Sequence, residues 1–119
     1  MQHKFFIFSF FFSFFMDFNT RVWELCKRIP KGKVTTYGGL ARALGTKAYR
    51  AVGNAMNRNP YGAWTAHGEK MVPCHRVVNS DGRVGGFALG TKKKIELLEK
   101  EGVEVRCGKV DIKKYLFRF

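Results

Sequence analysis

From Asp17 onward the apolar positions recur on a helical period. Val22, Leu25, Cys26 and Ile29 stand at i, i+3, i+4 and i+7, one face of a helix. Asp17 or Asn19 is placed to cap its start, and Pro30 with Gly32 ends it. Lys33-Val34-Thr35 reads as a short extended or turn segment. Thr36 caps a compact helix predicted over 37–44, which Gly45 closes. Thr46 is expected to cap a second helix of about twelve residues, near the globular mean, ending at Arg58. Its apolar positions Ala48, Ala51, Val52, Ala55 and Met56 form a 3.6-residue stripe. Asn59-Pro60 stops it, because proline disfavours the helical conformation in the residue before it.

The second half of the chain is less periodic. Residues 61–71 read as an exposed loop. They lead into the apolar, β-branched run Val72-Pro73-Cys74-His75-Arg76-Val77-Val78. Proline fixes its own φ and holds Val72 extended, which predicts a rigid, non-helical presentation of Cys74. Asn79-Ser80-Asp81-Gly82 is a turn signal, so 74–78 and 83–84 are expected to form a loose hairpin. Gly85-Gly86-Phe87 and Gly90 make a flexible stretch. Thr91 caps a third helical pattern over 92–100, with Ile95 and Leu98 inward. Val103 and Val105, then Val110 and Ile112, alternate around Cys107-Gly108-Lys109 as a small hairpin. The expected fold is mainly α with a small β component, in one domain over 16–119. The basic, aromatic residues 113–119 carry no function on this reading.

Charge sharpens the picture. The 119 residues hold 22 Lys and Arg against 9 Asp and Glu, a formal net charge of +13. Between Leu25 and Gly68 there is no acidic residue, while Lys27, Arg28, Lys31, Lys33, Arg42, Lys47, Arg50 and Arg58 are basic. A one-signed stretch of this kind suits a polyanion, nucleic acid first. It coincides with two short helices joined at Gly45-Thr46, a helix-turn-helix pattern. The polar face of the second helix carries Arg50, Gly53, Asn54 and Asn57. A helix lined with small residues has few long side chains for reading base edges, which favours the minor groove and backbone contact.

The three cysteines are odd in number and widely spaced, which argues against a disulfide framework and for a reducing, cytoplasmic setting. No zinc-ligand spacing appears, and neither a metal nor another cofactor is expected. Residues 1–15 differ from the rest: they hold eight of the twelve phenylalanines. The run is shorter than the roughly 20 residues a membrane helix needs, and no small-residue cleavage site follows it. It is expected to lie outside the fold, with Met16 as the natural start and no membrane partner.

Cys74 and His75 are the candidate chemistry. A thiol becomes a good nucleophile on ionising, and an adjacent imidazole supplies the base. Several ordered strings surround them: Gly32-Lys33-Val34-Thr35-Thr36-Tyr37-Gly38, Arg50-Ala51-Val52-Gly53-Asn54-Ala55-Met56, Asn59-Pro60, Pro73-Cys74-His75-Arg76-Val77-Val78 and Glu101-Gly102-Val103. In these the chain, over about 17–106, resembles the C-terminal domain of the O(6)-alkylguanine-DNA alkyltransferases, with its winged-helix-like helix-turn-helix fold.

The resemblance implies a monomer that takes an alkyl group from O(6)-alkylguanine in double-stranded DNA onto Cys74, once per molecule. It implies that His75 draws the thiol proton through a water and that Glu101 orients His75. Asn59 would brace the turn before the cysteine segment. Tyr37 would crowd the phosphate and protonate the departing guanine. Arg50 would fill the stack when the nucleotide is flipped out from the minor groove. Thr36, Gly38 and Ser80 match positions that contact DNA, and Thr46, Gly53 and Asn54 belong to the same expected interface. Two departures stand out: the connection from Asn59 to Cys74 is longer than the family pattern, and Phe87 replaces a common tyrosine. Single-domain chains of this length also resemble the alkyltransferase-like proteins, non-catalytic sensors that bind alkylguanine and recruit nucleotide excision repair. Those carry another residue in place of the cysteine. A plain helix-turn-helix regulator is a third reading, and it leaves Cys74, His75 and Glu101 idle.

Overall fold

The computed structural model describes residues 16–119, so the apolar run 1–15 and the start at Met16 lie outside the described residues. Five helices and two small sheets follow in order. They are α1 (Phe18–Cys26), β1 (Thr35–Thr36), α2 (Tyr37–Ala43), α3 (Tyr49–Asn57), β2 (Val77–Val78), α4 (Thr91–Lys100), β3 (Val105–Arg106), β4 (Lys109–Val110) and α5 (Ile112–Tyr115). Single 3-10 turns occupy Gly68–Lys70 and Cys74–Arg76.

The first three helices make one layer. The Asp17 carboxylate caps α1, accepting from the Thr20 N–H at 2.8 Å. Val22, Leu25 and Cys26 are buried along its inner face, and Ile29 continues that face past the helix end. Thr36 caps α2 as expected, its Oγ1 accepting from the Gly39 N–H at 2.9 Å. Gly45 ends the pair's first arm with φ +72°, a left-handed conformation that suits glycine. The Trp23 indole N–H donates to the Ala55 carbonyl at 2.8 Å and ties α1 to α3.

Helix α3 corrects the expectation for Thr46. It has nine residues rather than about twelve and starts at Tyr49, with Ala48 at the cap position and no side-chain cap. The Thr46 Oγ1 accepts instead from the Ala48 N–H at 3.1 Å, a local turn that keeps 46–48 out of the helix. A similar correction applies to Thr91. It is the first residue of α4, behind Gly90, and its hydroxyl donates to the Gly85 carbonyl at 3.1 Å.

The cysteine segment is wedged between two hydrophobic cores. One joins α1, α2 and α3 with Val72, Cys74 and Val77; the other gathers Val34, Val78, Val84, Leu98, Val103, Val110 and Tyr115. Strand β2 serves both, because successive strand residues point to opposite faces. Val77 enters the first core and Val78 the second.

Two expectations fail in this segment. β2 pairs in parallel with β1, Thr35 opposite Val77 and Thr36 opposite Val78, rather than with 83–84. The turn keeps a single cross-bond of the expected hairpin, from the Asn79 N–H to the Arg83 carbonyl at 2.9 Å, while Arg83 bridges to Lys109. Cys74–Arg76 is also a turn of 3-10 helix rather than non-helical, with the Arg76 N–H donating to the Pro73 carbonyl at 2.9 Å. Proline starts such a turn without cost, since its missing N–H would have no partner there.

The hairpin β3–β4 forms where the alternation placed it, antiparallel, with Val105 opposite Val110. Cys107 and Gly108 turn it with φ +51° and +75°, the mirror-image geometry that matches strand twist.

Candidate active site

Cys74 is carried on the first residue of its 3-10 turn, and it is 8 % exposed. It lines a pocket with Tyr37, Met56, Asn59, Trp64 and Phe87, whose free volume is about 20 Å³. That is room for about one water. Trp64 and Phe87 close the pocket edge to face, ring centres 5.0 Å apart. Trp64 comes from the loop 61–71, which is therefore more than an exposed connection. The loop's ends are tied where the Val72 N–H donates to the Tyr61 carbonyl at 2.7 Å.

Asn59 holds the same junction from both sides. Its Nδ2 donates to the Val72 carbonyl at 3.1 Å, and its Oδ1 accepts from the Tyr61 N–H at 2.9 Å. A buried amide with two backbone partners fixes the approach of the chain to Pro73.

Behind the cysteine, His75 is 1 % exposed and its Nε2 lies 3.0 Å from Glu101 Oε1. With a carboxylate as partner, Nε2 carries the proton and Nδ1 is left as the acceptor. Nδ1 is buried and has no hydrogen-bond partner among the described residues. Arg76, one residue on, grips the same carboxylate with two nitrogens, Nε at 2.8 Å from Oε1 and Nη2 on Oε2. Its Nη1 donates to the Ile29 carbonyl at 2.8 Å, which anchors the site to the end of the α1 layer. Burial would raise the Glu101 carboxyl, but hydrogen bonds from Arg76 and His75 outweigh it and bring the pKa down to about 2.

The thiol itself is restrained. Burial pushes Cys74 above its ordinary value, partly offset by a hydrogen bond from Asn59 and by the charge of Lys94. Tyr37 is raised too, by burial first and then by Cys74 and Cys26, so its phenol keeps its proton at neutral pH.

Two residues that matter here were not singled out for a role from the sequence. Arg76 stood inside the cysteine string, where its charge gave no sign of an inward partner. Lys94 is fully buried, and its Nζ donates to the Val84 carbonyl at 2.6 Å and to the Gly86 carbonyl at 3.3 Å. Burial lowers its pKa to about 8. The signal was present: Lys94 precedes the inward Leu98 by four positions, so both share a helix face.

The structure brings together only some of the expected DNA-contacting residues. Thr36, Tyr37, Gly38 and Ser80 line a cleft of about 610 Å³ together with Arg42 and Tyr49. Thr36 is 6 % exposed and its oxygen is engaged as the α2 cap, so it offers that cleft only an edge. Arg50 and Asn54 are exposed on α3, outside the residues lining the cleft. Gly53 is half-buried on the same helix, and a Cβ there would meet nothing within 4 Å beyond its chain neighbours and the helix's own backbone. Thr46 sits in the turn before α3.

Comparisons with known proteins place the chain in a family. Residues 17–103 match the family described as 6-O-methylguanine DNA methyltransferase, DNA binding domain. A methylated-DNA–protein-cysteine methyltransferase of Thermococcus gammatolerans is 50% identical over 92 residues, covering 76% of this chain and 48% of that protein. A bifunctional methyltransferase/endonuclease of Picrophilus torridus is 41% identical over 103 residues, 86% of this chain and 32% of that protein. The chain thus spans between a third and a half of the length of these curated relatives.

Among solved structures, S. pombe Atl1 in complex with damaged DNA containing O6-carboxymethylguanine superposes with a TM-score of 0.70 at 34% identity. The match covers 86% of this chain and 95% of that one. The O6-methylguanine-DNA methyltransferase from the archaeon Pyrococcus kodakaraensis gives 0.62 at 47% identity, covering 75% and 48%.

Proposed function

Because this chain belongs to the family of the 6-O-methylguanine DNA methyltransferases, through its DNA-binding domain, we propose that it repairs O(6)-alkylguanine in duplex DNA by moving the alkyl group to Cys74. The observation that carries the reading is the buried His75–Glu101 pair directly after Cys74 in the chain, with Tyr37 and Cys74 lining one pocket. Glu101 stays ionised and holds the proton on Nε2, which turns Nδ1 into the base. Nδ1 takes the thiol proton through one water. The thiolate attacks the saturated carbon on O6, the carbon–sulfur bond forms and the carbon–oxygen bond breaks. Guanine leaves with the electron pair, and the Tyr37 phenol supplies the proton it needs. The thioether product is stable to water, so each molecule acts once.

Because the resting thiol is raised by burial, reaction depends on this relay rather than on free thiolate. The pocket also has to open, since a space of about 20 Å³ does not hold a base. The flipped nucleotide displaces the wall made by Trp64 and the glycine-rich stretch up to Phe87. Arg50, exposed on α3, fills the gap in the stack.

A second reading is favoured by the 95% coverage of Atl1. On it the chain senses alkylguanine, leaves Cys74 unused and recruits excision-repair proteins. Transfer of a labelled methyl group from damaged duplex separates the two. On the transfer reading the native chain becomes labelled, while Cys74→Ala loses all label and keeps its DNA affinity. Label that persists in Cys74→Ala removes Cys74 as the acceptor, and an unlabelled native chain that binds the lesion tightly favours the sensor.

A further inference from the structure

The basic, aromatic tail has no part in the reaction above, yet it is firmly placed. The Val34 N–H donates to the Tyr115 carbonyl at 2.9 Å and the Phe117 N–H donates to the Val34 carbonyl at 2.7 Å. This staple lays residues 116–119 beside β1 and α2. Between tail and helix lies a cleft of about 550 Å³. Arg42 of α2 and Arg118 of the tail both line it, with the hydroxyl of Ser80, and no Asp or Glu side chain does.

A second observation points to a ligand. Thr35 also lines this cleft, at 1 % exposure, and its Oγ1 is buried without a hydrogen-bond partner. Buried polar atoms are normally satisfied, so an unmet hydroxyl in a cleft that Arg42 and Arg118 also line calls for an acceptor from outside the fold. A Cβ on Gly39 would come within 2.8 Å of that oxygen, so glycine leaves it uncrowded. Phe117 and Phe119, edge to face at 5.2 Å, add an apolar rim.

We propose that this cleft is a second phosphate-binding groove, which carries the DNA backbone beyond the helix-turn-helix. Arg42 and Arg118 grip the phosphate oxygens, and the hydroxyls of Thr35 and Ser80 donate to them. The inference rests on the DNA-binding reading above and extends its footprint. Duplex DNA is the occupant because Thr36, Arg42 and Ser80 line this cleft and the larger one alike, making a continuous path for one strand. The two faces of an aromatic rim suit sugar and base edges next to the backbone.

The test is the salt dependence of binding to an undamaged fluorescent duplex, for the native chain, Arg118→Ala and Arg118→Lys. A lost phosphate contact lowers the salt slope by about one unit. Arg118→Ala is expected to show that drop with several-fold weaker binding at low salt, and Arg118→Lys to recover most of it. Native slope and affinity in Arg118→Ala overturn the groove and leave the repair reading standing. A native chain that fails to bind the duplex at all overturns both.

Discussion

At Glu101 a single carboxylate does two jobs: it orients the imidazole of His75 and neutralises the buried guanidinium of Arg76. Its pKa is lowered in the fold, from an ordinary 4.5 to about 2, so the ionised form is what the fold favours. That contribution is fully present above the unfolded value and is lost as the pH falls from about 4.5 towards 2, on the order of 3 kcal/mol. In urea unfolding, the native chain is expected to lose stability steeply across that window. Glu101→Gln starts lower at pH 7, because Arg76 loses its counter-charge, and is nearly flat below pH 4.5. Equal slopes in the two proteins contradict the assignment. The sequence had shown Glu101 only by resemblance, since 25 residues separate it from Arg76 and no local pattern joins them. The fold closes that gap by bringing the 3-10 turn Cys74–Arg76 against the end of α4.

On the scale of elements, the helices were legible because each buries one continuous stripe. The face of α1 came out on Val22, Leu25 and Cys26 as its period named, while that of α3 kept Val52, Ala55 and Met56, with Ala51 half-buried and Ala48 exposed ahead of the helix. Strands β1 and β2 were not legible in the same way. β1 and β2 are two residues each and pair across more than forty positions, so no hairpin signal marks them. The cap at Thr46 failed for a local reason, the competing turn that its hydroxyl makes with Ala48.

Lys94 on α4 leads to a prediction of this scale. Its ammonium ties the Val84 and Gly86 carbonyls together, and Gly86 lies in the wall of the cysteine pocket. Lys94→Met removes that tie and the one cation credited with lowering the Cys74 thiol. Transfer at pH 7 is expected to slow by about tenfold, with rates approaching the native chain's at alkaline pH, where Lys94 itself loses its charge near pH 8. DNA affinity is expected to stay the same. A rate deficit that does not narrow with rising pH assigns Lys94 to wall packing alone.

On the proposed function, the molecule divides its labour between basic clefts and a buried thiol. The charge was plain in composition, but its arrangement around two connected clefts depends on the tail reaching back to Val34, which no periodicity foretold. If the exposed Arg50 acts by holding a flipped nucleotide out of the stack, its loss matters only where a stack exists. Arg50→Ala is expected to slow repair in duplex DNA by at least about tenfold, roughly 1.4 kcal/mol, and to leave the reaction with free O(6)-benzylguanine within about twofold. Equal losses in both reactions exclude that role.

The most direct measurement is the intact mass of the protein after incubation with an equimolar duplex containing O(6)-methylguanine, followed by peptide mapping. The account predicts the gain of one methyl group per molecule, on the peptide that holds Cys74, and no second turnover with fresh DNA. An unchanged mass in protein shown to be bound to the lesion contradicts it.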